Sequence, residues 1–186
     1  MRYLTIFFLF IAANSFSQIS QFVDIKFSNY SGFHIACKGD DSGWISVDVS
    51  GGNLPYSFLW SNNETNDSIY NLYAGLYTLT ITDGLGLTET IQLNLLEPST
   101  SLGGATQLTT NYNGYNVSCF NGNNGGLRAM PIGGVSPYSW YWNGISGSEF
   151  LNNQIAGDYH VELYDNNNCL WEDSVVLTQP LEINTQ

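Results

Sequence analysis

The chain has 186 residues, with four basic residues against sixteen acidic ones and a formal charge of −12. Such a surface repels phosphate backbones and anionic lipid, so nucleic acids and membrane surfaces are excluded as partners. Only 11% of residues are charged, so Asn, Ser, Thr and Gly must form much of a solvated surface.

Residues 1–17 read as a secretory signal. Met1-Arg2-Tyr3 is a short, positively charged start, Leu4 to Ala13 is an apolar run, and Ser15-Phe16-Ser17 offers small residues at a cleavage site before Gln18. The run is too short to span a bilayer, and no later stretch approaches that length, so no membrane insertion is expected after cleavage. The exported part, 18–186, keeps three basic residues, Lys26, Lys38 and Arg128, against sixteen acidic ones.

From residue 29 onward the chain repeats itself at an offset of 82. Between 29 and 98, 18 of 70 positions are identical to those 82 later, with no gap. A unit of this length is a duplicated domain rather than a solenoid repeat. Two domains of roughly 80 residues follow, each with a modest core. We read repeat 1 as 22–98, a flexible linker as 99–105, repeat 2 as 106–180, and 181–186 as the start of a possible third repeat. The last segment, Leu181-Glu182-Ile183-Asn184-Thr185-Gln186, alternates like the first strand, Val23-Asp24-Ile25-Lys26-Phe27.

Each repeat reads as all-β. Ile45, Val47 and Val49 alternate with Ser46, Asp48 and Ser50, the mark of a strand with one buried face. Gly51-Gly52-Asn53-Leu54-Pro55 breaks it, and Tyr56, Phe58 and Trp60 form the next alternating set. Its counterpart is Gly133-Gly134 and Pro137, then Tyr138, Trp140 and Trp142. Three aromatics on one strand face can fill much of a small core. A short strand near Ile69 precedes Ala74-Gly75-Leu76-Tyr77, repeated as Ala156-Gly157-Asp158-Tyr159. Gly two residues before a strand-opening Tyr is similar to the tyrosine corner of immunoglobulin-like sandwiches. Asp83-Gly84-Leu85-Gly86 and Asp165-Asn166-Asn167-Asn168 are hairpin turns, and Ile91, Leu93 and Leu95 mark a last strand. The predicted architecture is two tandem immunoglobulin-like β-sandwich domains after a signal peptide.

There are three cysteines. Cys119 precedes one strand and Cys169 opens the last strand of repeat 2; in an exported protein this pair is expected to oxidise. The bridge would close a loop of about 50 residues and contribute roughly 4 kcal/mol on the chain-entropy model. Repeat 1 has Cys37 but Leu87 at the second position, so Cys37 is expected to be a free thiol. His34 lies three residues away, on the opposite face of an alternating strand, which argues against an activated nucleophile.

The series Cys119, Gly125, Gly133-Gly134, Pro137-Tyr138, Trp142, Ala156-Gly157, Tyr159, Asp165, Cys169, Pro180 resembles the SprB repeat family, and repeat 1 carries the same series without the second cysteine. The resemblance implies a module found in many copies in long surface proteins of Bacteroidetes, including a mobile adhesin of gliding motility. It further implies export by the type IX secretion system, a secreted or cell-surface location, and further repeats in the same parent chain.

The functional expectation is a non-enzymatic adhesin or stalk segment, since tandem sandwiches extend reach and linked weak sites gain avidity. Its ligand, a polysaccharide or protein, is not named by the sequence. The alternative is a carbohydrate-binding or accessory module of a larger secreted enzyme. Trp44, Tyr141 and Trp171, placed by alternation off the main aromatic face, are its candidate sugar platforms, although none is aromatic in both repeats. No catalytic or metal-ligating set is found: the two histidines, His34 and His160, lie in different repeats, and Asp83/Asp165 is the one acidic residue that recurs unchanged. No cofactor is expected. Asp40-Asp41 and the Asp165 turn offer oxygen ligands for calcium, but their spacing matches no established loop. Asp67-Ser68-Ile69 and Asp173-Ser174-Val175 are similar to an O-glycosylation triplet of exported Bacteroidetes proteins.

Overall fold

A computed structural model describes residues 21–183, and within them the chain is all β. The signal segment 1–17 lies outside the described residues. The chain divides into two compact units between Glu97 and Pro98.

The first unit contains β1 (Gln21–Phe27), β2 (Gly43–Gly51), β3 (Ser57–Trp60), β4 (Ser68–Leu72), β5 (Gly75–Thr82) and β6 (Thr88–Leu95). They form two antiparallel sheets, ordered β1-β2-β4 and β3-β5-β6. The inward residues of both sheets meet in one core of Ile35, Ile45, Val47, Trp60, Ile69, Leu72, Leu79, Ile81, Leu93 and Leu95. Two facing sheets with alternating inward residues are the immunoglobulin-like sandwich.

The second unit contains β7 (Gly103–Leu108), β8 (Gly125–Ile132), β9 (Ser139–Trp142), β10 (Ile145–Gly147), β11 (Phe150–Gln154), β12 (Gly157–Tyr164) and β13 (Leu170–Leu177). Its sheets are ordered β11-β8-β7 and β10-β9-β12-β13. The three-residue β10, folded back on β9, is absent from the sequence reading and has no counterpart among the strands of the first unit. The core is Leu127, Ala129, Trp142, Tyr159, Val161 and Leu177.

Two sequence expectations need correction. Residues 103–105, read as linker, begin β7, where Gly103 pairs with Ile132 and Ala105 with Met130. The glycines there are strand residues because Trp171 packs against Gly104; a Cβ would meet its ring at 2.6 Å.

The second correction concerns the cysteines. Cys119 is a free, exposed thiol, whereas Cys37 and Cys169 are disulfide-bonded. A Cys119–Cys169 bridge fails on distance. Cys119 sits beyond the C-terminal end of β13, where Val117 donates to the Thr178 carbonyl and Asn121 to Gln179 Oε1. Cys169 precedes the other end of that strand. Eight strand residues separate the two ends by about 26 Å, far beyond the Cα separation of about 4.4–6.8 Å that a disulfide allows.

Repeat residues serve the same purpose in both units. Tyr77 donates its hydroxyl to the Tyr73 carbonyl at 3.1 Å, and Tyr159 to the Ile155 carbonyl at 3.0 Å, each four residues upstream. This is tyrosine-corner geometry, and burial raises both phenol pKa values. Trp60 and Trp142 are buried, and their indole N–H groups donate to the carbonyls of Asn66 and Ser148. The other aromatics of these sets are half-buried. Tyr56 and Tyr138 instead tie the preceding turn, donating to the carbonyls of Gly51 and Gly133. Gly51, Gly52, Gly133 and Gly134 all have positive φ, and Pro55 and Pro137 both follow cis peptide bonds. At Gly134 a Cβ would also press on Asp165 Oδ2 at 2.9 Å, so backbone angle and close approach both demand glycine.

The recurring aspartate knits each sandwich end together. Asp83 is 5% exposed; Oδ1 accepts the amides of Leu85 and Leu87, and Oδ2 those of Asn53. In the second unit Asp165 accepts the amides of Asn167, Cys169 and Val135.

Candidate functional site

The residues shared by the two units are spent on packing and turns, so a specific site must lie on surfaces where they differ. The outward face of β9, β12 and β13 is such a surface. Along β12 the inward residues Tyr159, Val161 and Leu163 are buried, which turns His160, Glu162 and Tyr164 outward. On β9 the inward Trp142 leaves Tyr141 and Ser139 outward. The register then sets Tyr141 opposite Glu162 and Ser139 opposite Tyr164.

These residues line an open groove of about 310 Å³ with Asp165 and Asn168 at its end. The rings of Tyr141 and Tyr164 stand edge to face, with centroids 5.7 Å apart and planes at 90°. The Tyr164 hydroxyl donates to Glu162 Oε2 at 3.1 Å, and this hydrogen bond, with burial and the carboxylate charge, raises the phenol pKa. Glu162 also faces His160 at 4.0 Å, and His160 faces Glu172 at 3.8 Å. The groove therefore combines aromatic surface with carboxylate, phenol, amide and hydroxyl groups.

The first unit keeps the serine and the aspartate but lacks the aromatic, phenol and amide groups at the equivalent positions, which are Ser57, Leu59, Thr80, Thr82, Asp83 and Gly86. Its outward face is threonine-rich, with Thr80 opposite Thr90 and Thr82 opposite Thr88.

The three aromatics singled out in the sequence fall in three different places. Tyr141 lines the groove. Trp44 is half-buried on β2, paired with the exposed Tyr70 of β4, and does not line this groove. Trp171 lies on the inward face of β13, paired with the buried Leu163 and packed against the core, so its assignment to an outer face is corrected. The sequence reading missed Tyr164 and Glu162. Alternation from Tyr159 places both outward, but their meeting with Tyr141 depends on strand register.

The remaining candidates are engaged elsewhere. His34 Nδ1 accepts the amide of Leu96 at 2.9 Å, and burial lowers its pKa. Asp40 accepts the amide of Ser42. Among the described residues no three His, Cys, Asp or Glu side chains are grouped to hold a metal ion. In the two glycosylation-like triplets, Ser68 bonds Ser46 Oγ at 3.0 Å, and Ser174 is exposed on β13.

Residues 35–65 match the family model described as SprB repeat. They run from the buried Ile35 through β2 and β3 of the first unit. No curated protein matches the chain. Among solved structures, the fibronectin(III)-like modules of Clostridium thermocellum CbhA are 15% identical, with a TM-score of 0.34, over 77% of this chain and 89% of theirs. Murine CEACAM1b is 14% identical, with a TM-score of 0.35, over 76% and 94%.

Proposed function

We propose that the chain is a non-enzymatic, extracellular repeat segment of a cell-surface adhesin or stalk. The observation that carries this reading is the contrast between shared and unshared residues. Corner tyrosines, buried tryptophans, turn glycines and capping aspartates are retained with their hydrogen-bond partners, while outward faces differ in chemistry. Duplicated scaffolds with divergent faces suit reach and multivalent contact. The match of residues 35–65 to the SprB repeat supports the same reading. It also favours export by the type IX route and a role in surface attachment or gliding. No cofactor takes part in this role.

The test is localisation and attachment in the native host. Antibody raised against the repeats should label intact cells, and deleting them should reduce attachment to surfaces. Label confined to lysed cells, or attachment unchanged by deletion, would overturn the proposal.

A further inference from the structure

We propose that the Tyr141–Tyr164 groove binds a neutral pyranose unit of a polysaccharide. The inference deepens the adhesin reading and rests on it for its biological role. Sugar rings present C–H groups on their faces and hydroxyls around their rims. The groove offers two aromatic rings at right angles, so one can lie under a ring face while the other forms a wall. Around them stand the polar groups a polyol needs: Glu162, Asn168, Ser139 and the Tyr164 hydroxyl. Aromatic walls with a few convergent polar groups are the usual makeup of a small-molecule site.

Charge selects among sugars. Glu162 and Asp165 line the groove and Glu172 flanks it, in a chain of net charge −12. Uronate or sulfated units would bring like charge to these carboxylates, whereas neutral hydroxyls can donate to Glu162. Asp165 already accepts three backbone amides, so it fixes the groove end rather than the ligand. The groove is shallow and open, which fits internal units of a long chain.

The experiment uses the exported chain and native gels containing neutral polysaccharides (β-glucan, galactomannan, agarose) or anionic ones (alginate, polygalacturonate), followed by titration with oligosaccharides of any retarding polymer. At least one neutral polymer should retard the protein, with a Kd of roughly 0.1–1 mM for its oligosaccharide. Tyr141→Ala and Glu162→Ala should each weaken binding about tenfold or more, whereas Leu59→Ala, at the equivalent position of the first unit, should not. Melting curves confirm that each variant is folded; if Tyr141→Ala is not, Tyr141→Ser and Glu162→Ala decide. Retardation by anionic polymers alone, by none, or equally in the folded groove variants overturns the site. Cell attachment that survives Tyr141→Ala but not deletion of the repeats would sink this site while sparing the adhesin reading.

Discussion

His34 and Asn116, 82 positions apart, perform the same task with different chemistry. His34 Nδ1 accepts the Leu96 amide at 2.9 Å, and Asn116 Oδ1 accepts the Thr178 amide at 3.0 Å. Each bond fastens the segment before the second strand of its unit to the chain leaving the last strand. The imidazole can do so only while Nδ1 is unprotonated; the amide has no such condition.

A difference in acid sensitivity follows. Burial lowers the His34 pKa from its ordinary 6.5, so the fold favours the neutral ring. Its contribution is complete above the unfolded value and is lost as pH falls through 6.5 toward the folded one. Protection of the Leu96 amide, taken relative to its intrinsic exchange rate, should therefore fall between pH 7 and 5 by the equivalent of about 1 kcal/mol, while that of Thr178 should show no such step. His34→Asn should abolish the difference. An equal pH response at both amides would contradict the assignment.

Asp83 sets a second acid limit. Burial pushes its pKa up, but the amides of Leu87, Leu85 and Asn53 outweigh this and leave it below the ordinary 3.8. A lowered carboxylate pKa stabilises above the unfolded value and is lost as pH falls through the folded one. Melting temperature measured from pH 6 to 2.5 should fall less steeply in Asp83→Asn than in the unmodified protein. Parallel curves would show that the carboxylate charge is not what the turn uses.

The corner tyrosines should be equivalent. Tyr77→Phe and Tyr159→Phe each delete one hydroxyl-to-carbonyl bond and leave the ring packed, at a cost of about 1 kcal/mol in urea unfolding. Because both phenol pKa values are raised, the neutral form is favoured; its contribution is complete below the ordinary 10.0 and is lost as pH rises further. The two Phe variants should be less sensitive to alkali than the parent.

Thiol chemistry distinguishes the cysteines. With Cys119 exposed and free, and Cys37 and Cys169 oxidised, a maleimide should add once to the folded, unreduced protein. Cys119→Ser should take up none. Intact mass reads each outcome, and a Cys119-free protein that still reacts would refute the assignment.

Trp171 and Tyr141 should separate packing from binding. Trp171 lies against Gly104 and the second core, so Trp171→Ala should cost about 3 kcal/mol or more in urea unfolding. Tyr141 faces the open groove, and Tyr141→Ala should leave stability within about 1 kcal/mol while removing sugar retardation. Reversed outcomes would restore Trp171 as the platform.

Much of the sandwich was legible because its rules are local. Alternation identifies a buried strand face, glycine pairs mark positions of positive φ, and a Tyr after Ala-Gly-x marks a corner. The 82-residue offset shows which of these matter, since Gly43 and Gly125 both lie where a Cβ would strike neighbouring side chains and a carbonyl. Trp171 went astray because alternation assigns faces only relative to a known inward neighbour, and β13 carries half-buried Trp171, Asp173 and Val175 on one face.

Local pattern and composition were enough for the all-β class, the duplication, the turn and corner residues and the acidic surface, because each depends on near neighbours along the chain or on overall residue content. Which cysteines oxidise and which aromatics share a groove came from the folded arrangement of the strands. Cys119 and Cys169 lie at opposite ends of one strand, and Tyr141 meets Glu162 and Tyr164 through the register of β9 on β12. Strand pairing brings together residues that are remote in sequence, and a shift of one residue would turn the tyrosine from the groove to the core.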